Sequence, residues 1–344
     1  MGNKNKLTKR NSGIFTANEI AFFGLKDSFI TDFLQKINKK LQKKWKTDFF
    51  TNSNNLRIKE DLYHSQLDFL LLNGSYFPTV KQQILVLTSD SEDLLLQNLE
   101  YLTNVQFVIR LNANAHFPDY LLVKYPTISN VISYDFKDLD SICNHIENLI
   151  FEKIAPINSL ILIGGKSTRM GTDKSMLDYH GKPHREFLKD ILGDFILKND
   201  IFYSLRDVSQ IKNTQIITDK FTDLGPFGGI CSAFMYNPNK AWLVVATDLP
   251  FINKYLIQKL IYKRNPSKIA TAFIGKNKDF PEPLITIWEP KAYPVLLQQL
   301  SRGELSLIKT LKNNEIELIE VDNSLIKNVN TKEEYEKIKK ELTK

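Results

Sequence analysis

SLILIGGKSTRMGTDK, residues 159–174, decides how the rest of the chain is read. Leu160 to Ile163 form an unbroken apolar run, the mark of a strand buried on both faces, and Gly164-Gly165 end it. Small glycines let a backbone approach a phosphate chain, and the free N–H groups of such a turn point at an anion. Arg169 and Lys174 add fixed positive charge. Gly165-Lys166-Ser167 looks like the end of a Walker loop, but the glycine required five residues earlier is Leu160. The string contains no GxGxxG either. A tight surface turn is the plainer reading of Gly-Gly alone; the whole string after an apolar strand favours a phosphate chain.

Working outward, strand and helix patterns alternate on both sides. Toward the C-terminus, strands are expected at 200–206, 214–219, 241–251, 268–274 and 284–290. Helices are expected at 184–195, 225–237, 254–264, 292–303 and 334–342. Toward the N-terminus, strands are expected at 18–24, 67–74, 83–89 and 105–112, with helices at 29–41, 93–102 and 138–151. Such alternation predicts an α/β fold with mostly parallel sheets. The chain's 344 residues exceed what one core usually spans. Pro156, within 153–158, marks the linker, giving domains of residues 1–155 and 156–344, with 1–18 as a tail.

Charge narrows the partners. The net +7 is an N-terminal feature: residues 1–46 hold eleven Lys+Arg against three Asp+Glu, and the remainder is nearly balanced. Lys36, Lys39, Lys40, Lys43 and Lys44 read as the solvated face of one helix. With no zinc finger or RNP motif, no nucleic-acid partner is expected. No apolar run reaches membrane-spanning length, and the first residues lack a signal peptide's apolar stretch. Cys143 and Cys231 lie too far apart in sequence to suggest a disulfide framework or a CxxC site. A cytoplasmic protein without a membrane partner is expected.

Two further strings carry chemistry. In AWLVVATDLPF (241–251), Asp248 follows a continuous apolar strand. That puts a carboxylate at the carboxyl edge of a sheet, where open α/β folds bind ligands. Its hard oxygens suit Mg²⁺, which takes one or two carboxylates plus substrate phosphates; an Asp capping a turn is the structural alternative. Leu224-Gly225-Pro226-Phe227-Gly228-Gly229 opens a helix and would present backbone donors to a base or ribose.

Together these strings resemble the molybdenum cofactor guanylyltransferases, the MobA-like nucleotidyltransferases. Leu162-Ile163-Gly164-Gly165-Lys166-Ser167-Thr168-Arg169-Met170-Gly171-Thr172-Asp173-Lys174 is similar to the family's L-A-G-G-x-S-x-R-M-G-x-D-K, with Ile163 replacing Ala. Gly181-Lys182-Pro183, Thr218-Asp219, Gly225–Gly229, Asp248-Leu249-Pro250-Phe251 and Asn328-Val329-Asn330-Thr331 resemble its later motifs, over roughly residues 158–344. The resemblance implies a Rossmann-like nucleotidyltransferase domain. The backbone at Leu162, Ile163, Gly164 and Gly165, with Arg169 and Lys174, would hold the triphosphate. Ser204, Asp219, Gly225 and Asp248 would meet the nucleotide, Asp248 would also bind Mg²⁺, and Asn328 and Asn330 would meet the acceptor. Ser204 stands in for an Asn that the family carries on that strand; this chain reads Tyr203-Ser204-Leu205-Arg206.

The N-terminal half resembles a degenerate MobB-like GTP-binding protein, an α/β P-loop-like domain without an intact Walker A. Gly24-Leu25-Lys26-Asp27-Ser28 stands where GK[ST] would be, and Asn73 where an acidic residue would be. A docking or structural role without GTP hydrolysis is expected for it.

By this resemblance the substrates are a nucleoside triphosphate, GTP first, and molybdopterin, with a molybdoenzyme as a transient partner. Arg169, Lys174 and Asp248 would be the catalytic set: the two cations would offset charge on the leaving pyrophosphate, and Mg²⁺ on Asp248 would orient the phosphates. The rivals are the same chemistry with CTP or another phosphorylated acceptor, and a carrier protein without turnover. A carrier has no need of a metal carboxylate beside a phosphate turn.

Overall fold

The computed structural model describes residues 18–51, 65–77, 82–89, 92–112, 114–163, 174–206 and 215–342. The chain divides into two compact units, Met1–Ile154 and Ala155–Lys344.

In the first unit, β1 (Asn18–Phe23), β2 (Thr47–Phe50), β3 (Phe69–Asn73), β4 (Gln82–Leu87), β5 (Val105–Arg110) and β6 (Ser133–Asp135) form one sheet. It is parallel throughout, in the order β2-β3-β1-β4-β5-β6. Alternation along each strand feeds two cores: Ile20 and Phe22 enter one, Ala21 and Phe23 the other. The helix Asp27–Leu41 buries Ile30, Phe33, Leu34, Ile37 and Leu41, a stripe at helical spacing. Its opposite face carries the lysines. Lys36 pairs with Asp32 at 2.7 Å, Lys44 beyond its end with Glu147 at 3.1 Å, and Lys40 pairs with Asp140. Phe29, at the start of the expected apolar stripe, is exposed and packs on Phe136 instead.

In the second unit, β7 (Ile157–Leu162), β8 (Ile201–Leu205), β9 (Ile216–Thr218), β10 (Ala241–Ala246), β11 (Ala270–Gly275), β12 (Pro281–Trp288) and β13 (Glu317–Val321) form a sheet ordered β13-β11-β12-β10-β7-β8-β9. Only β12 runs antiparallel to its neighbours. The helices His184–Gly193 and Lys254–Tyr262 cover one face with Leu188, Leu192, Leu256 and Leu260, over Ile161 and Val245. The helices Pro226–Tyr236 and Ala292–Ser301 cover the other with Ile230, Phe234 and Leu296, over Leu160 and Val244. The fold is α/β and mostly parallel. At the amino edge of β7, Arg264 clamps Glu289 through two bonds of 2.7 and 2.8 Å and reaches the Ala155 carbonyl at 2.7 Å. Both charged side chains are nearly buried, so the bidentate geometry is what makes the pair tolerable.

The structure adds elements to the sequence reading. β13, ELIEV, turns only Ile319 and Val321 inward and lies at the sheet's edge, so it lacks the apolar run that betrays inner strands. β2 and β6 are short edge strands of the first sheet. β10 stops at Ala246, short of the expected Phe251, because the chain turns at Thr247. Among the described residues, no helix is long and apolar enough to cross a membrane, and Cys143 and Cys231 are buried free thiols.

Candidate active site

Ser204, Leu162 and Ala246 are lateral neighbours across β8, β7 and β10, at the carboxyl edge of the second sheet. Here the strand order reverses: β8 and β9 continue to one side of β7, and β10 crosses to the other. Such a reversal opens a crevice between the diverging loops. Thr247 extends the pairing by one residue, donating to the Leu162 carbonyl from both N and Oγ1, at 3.4 and 3.3 Å. Ile163 N–H is directed to Ser204 O at 3.4 Å. Hydrogen bonding at Leu162 and Ile163 therefore belongs to the sheet. Gly164, Gly165 and Arg169 lie outside the described residues.

Past Thr247, Asp248 enters the crevice half-buried. Two histidines brace its loop: His184 Nε2 lies 3.2 Å from Leu249 O, and His180 Nε2 lies 3.1 Å from Pro250 O. Burial, and secondarily the charge of His180, lowers His184 to about 4; burial also lowers His180. Neutral imidazoles can serve here as N–H donors to the carbonyls. The Gly181-Lys182-Pro183 turn that presents them is closed by a bridge between Asp178 and Pro183. Its task is thus to position the Asp248 loop.

Val329 N–H donates to Asp248 O at 2.8 Å, seating the Asn328–Thr331 segment beside the carboxylate. That segment is fixed by a capping box on the helix Lys332–Leu342. Thr331 Oγ1 accepts from Glu334 N, and Glu334 Oε2 accepts from the N–H groups of Asn330 and Thr331, at 2.8 and 3.1 Å. Those N–H groups hold the Glu334 carboxyl below its ordinary range. Lys174 Nζ donates to Val329 O at 3.0 Å and to Asn330 Oδ1 at 2.9 Å. Lys174, Asp248, Val329 and Asn330 are thus one hydrogen-bonded cluster, with Asn328 next to Val329 in the chain, drawn from positions up to 156 residues apart.

Two oxygens in this cluster are orphaned. Asp248 Oδ1 and Asn328 Oδ1 are both buried with no hydrogen-bond partner. Burial raises the Asp248 carboxyl, and Lys174 pulls it back down. Buried acceptors left unpaired are costly, and a hard cation is a partner that both would accept. Among the described residues no group of three or more His, Cys, Asp or Glu could hold a metal. A cation here would therefore draw its other ligands from phosphate and water, the habit of Mg²⁺.

Other site residues line the β8–β9 side of the same edge. Ser204 is buried, and a side chain at Gly229 would start only 2.8 Å from Ser204 Oγ, so the helix Pro226–Tyr236 can pack this close only through glycine. Gly225 is that helix's N-cap, at a φ of +59°. Asp219 Oδ1 accepts from Phe221 N at 2.9 Å and from Ser232 Oγ at 3.0 Å, fastening the loop after β9 to the same helix.

One residue escaped the sequence reading. Glu282, between Pro281 and Pro283 on β12, has its carboxyl raised to about 7, chiefly by burial; the Leu284 N–H opposes this and the charge of Asp248 adds to it. A carboxylate between two prolines on a strand was the available signal.

Comparison with known proteins gives the family of the second unit. Residues 159–316 match the MobA-like NTP transferase domain family. The chain is 32% identical over 188 residues to a molybdenum cofactor biosynthesis bifunctional protein of Synechocystis, covering 53% of this chain and 54% of that protein; it thus spans about half the length of that relative. It is 30% identical over 200 residues to a probable molybdenum cofactor guanylyltransferase of Clostridium perfringens, covering 54% of this chain and 98% of that protein. Against a probable molybdenum cofactor guanylyltransferase of Flavobacterium johnsoniae the identity is 26% over 168 residues, covering 49% and 87%.

Proposed function

Because the chain belongs, through its second unit, to the MobA-like NTP transferases and among them to the molybdenum cofactor guanylyltransferases, we propose that it transfers GMP from GTP to molybdopterin with Mg²⁺. The observation that carries the reading is the pair of orphaned oxygens, Asp248 Oδ1 and Asn328 Oδ1, beside Lys174 at a sheet's topological switch.

In the proposed reaction an oxygen of the acceptor's terminal phosphate attacks the α-phosphorus of GTP. The bond from that phosphorus to the β-phosphate's bridging oxygen breaks, and pyrophosphate leaves. The nucleophile is already anionic, so no general base is needed, and catalysis rests on positioning and charge. Mg²⁺, when bound, neutralises phosphate charge and polarises the α-phosphate. Asp248 and Asn328 would hold it, with Asp248 fixed by its backbone bond to Val329 and by the histidine-braced loop. Lys174 would exchange its bonds to Val329 and Asn330 for the triphosphate, which frees Asn330 to meet the acceptor. Arg169 completes the proposed cationic set. Ser204, Asp219 and Gly225 would face the nucleoside.

The test is to mix the protein with each NTP in turn, Mg²⁺ and molybdopterin, and to measure pyrophosphate. Release with GTP alone is expected. Release with CTP alone would change the base; release with no NTP would remove the activity.

A further inference from the structure

Next to the cluster, on the side of β11 and β12, lies a groove of about 440 Å³ that the reaction above leaves unassigned. Lys278, Phe280 and Glu282 form one wall, Asn323 and Lys327 the other. The walls are tied together: β11 pairs with β13 up to Gly275 and Val321, Lys276 N donates to Val321 O, and Asn323 Nδ2 donates to Lys276 O at 3.3 Å. The register of β12 against β11 shifts between Ala272 and Phe273, and Glu282 sits at that irregularity, opposite Phe273. Bulges of this kind re-aim a side chain beside an active site. Glu282 is held in place from three sides. Its Oε1 accepts from Leu284 N at 3.0 Å, its carbonyl accepts from Thr286 Oγ1 at 2.6 Å, and prolines flank it.

Its second carboxylate oxygen has no hydrogen-bond partner among the described residues. Neither Lys278 nor Lys327 pairs with it, although both line the same groove. A groove that holds two lysines and a carboxylate apart fits a ligand with separated charge characters. One end must donate hydrogen bonds and the other must be anionic. Phe280, 55% exposed, carries the Lys312 ammonium 4.3 Å from its ring centroid and adds aromatic surface to the groove's lining. A pterin that carries a phosphate has this make-up. The pyrimidine ring presents an N–H and an amino group side by side, the ring system is flat, and the tail is anionic.

We infer that this groove is the seat of the acceptor, and that Glu282 selects a pterin by accepting from the N–H and amino groups of its pyrimidine edge. The inference rests on the reading of the acceptor as molybdopterin. The volume suits a ligand of that size. The groove adjoins the reaction centre along the chain, since Lys327, which lines it, directly precedes Asn328. A site built to accept from a ligand's N–H groups rejects analogues that lack them far more strongly than an apolar pocket could.

The experiment compares the whole protein with Glu282→Gln and Phe280→Ala. The glutamine side chain keeps an oxygen for Leu284 N but puts an amide N–H₂ toward the pterin donors. Phe280→Ala alters an exposed side chain and leaves the fold intact. In Glu282→Gln the KM for molybdopterin should rise by at least about 10-fold and the KM for GTP should stay within about twofold, as expected for a lost acceptor of the substrate's hydrogen bonds. In Phe280→Ala the acceptor KM should rise by about fivefold, from lost stacking. Quenching of 6-hydroxymethylpterin fluorescence, which needs no turnover, should be present in the wild type and lost in Glu282→Gln. Wild-type values for both variants in both assays would overturn the groove assignment while leaving the transferase reading intact. If the wild type released no pyrophosphate with molybdopterin yet quenched pterin fluorescence through Glu282, the groove would stand and the transferase reading would fall.

Discussion

Each unit brings an aspartate to the carboxyl edge of parallel strands, and the two aspartates are treated in opposite ways. In the first unit β1 is followed by Gly24, at a φ of +95°, where an added Cβ would lie 2.3 Å from the Val86 carbonyl. The turn therefore keeps its glycine, as a phosphate-binding loop would. Yet Asp27 then opens the helix, and its carboxylate accepts from Asn73 Nδ2 at 3.1 Å and from Tyr76 OH at 2.7 Å. The chain supplies its own anion at the helix N-terminus, where a phosphate would be favoured. In the second unit Asp248 has a buried oxygen with no partner and a carboxyl raised by burial. A satisfied carboxylate holds its own fold together. An unsatisfied one is a cost to the fold that only a ligand would offset.

The strongest way to break this contrast is Asp248→Asn. Turnover should fall by about 10²-fold or more, through the lost metal ligand. The fold should gain. A carboxyl raised in the folded state makes the wild type lose stability as pH rises past the ordinary carboxylate value of 3.8 and through the raised one. Asparagine does not titrate there. The variant's Tm should therefore exceed the wild type's at pH 8, with the gap closing toward pH 4. A lower Tm at pH 8 would show that Asp248 is a structural carboxylate like Asp27, and near-normal turnover at saturating Mg²⁺ would remove it from the metal role.

Lys174→Ala should act less strongly, lowering kcat/KM for GTP by about 10-fold, because one cation of several at the phosphates is lost. Its bonds to Val329 and Asn330 also hold the acceptor segment, so the KM for molybdopterin should rise as well. Unchanged KM and kcat for both substrates would sever the glycine turn from the site.

How much of this contrast was legible in the sequence follows from what each feature depends on. Asp248 could be read because its strand is a continuous apolar run and only Thr247 stands between the two. Lys174 could be read as a phosphate cation, but not as the bond partner of Asn330, because that contact joins residues 156 apart. Glu282 was invisible because its burial and its nearness to Asp248 arise from β12 running antiparallel between β10 and β11, which no local pattern announces. β13 was missed for a related reason: an edge strand with outward charges has no run to see. In the first unit the loss of the Walker lysine was legible, but the filling of its place by Asp27, Asn73 and Tyr76 was a matter of three-dimensional pairing.

A chain starting at Ala155 should sharpen the contrast further. The second unit has its own sheet and two cores, and every residue proposed for the chemistry lies within it. The fragment should unfold cooperatively and release pyrophosphate within a few-fold of the full chain per folded molecule. A cooperatively folded but inactive fragment would show that residues 1–154 complete the site.

The smallest effect is expected for Asp27→Ala, and it tests the other half of the comparison. Removing the carboxylate leaves Asn73, which is fully buried, without a partner for its amide N–H₂, whereas Tyr76 is exposed and can turn to water. The helix also loses a negative charge in its first turn. Because Asp27 itself is exposed, the combined cost should be about 1 kcal/mol, seen as a lower midpoint in the urea unfolding of the first unit. Pyrophosphate release should not change, since Asp27 belongs to the first unit, which carries none of the transferase residues. The decisive measurement is the number of GTP molecules bound per chain by equilibrium dialysis, which should remain one. If the variant bound two, Asp27 would be a removable plug over a working phosphate site, and the two carboxylates would differ in occupancy rather than in kind.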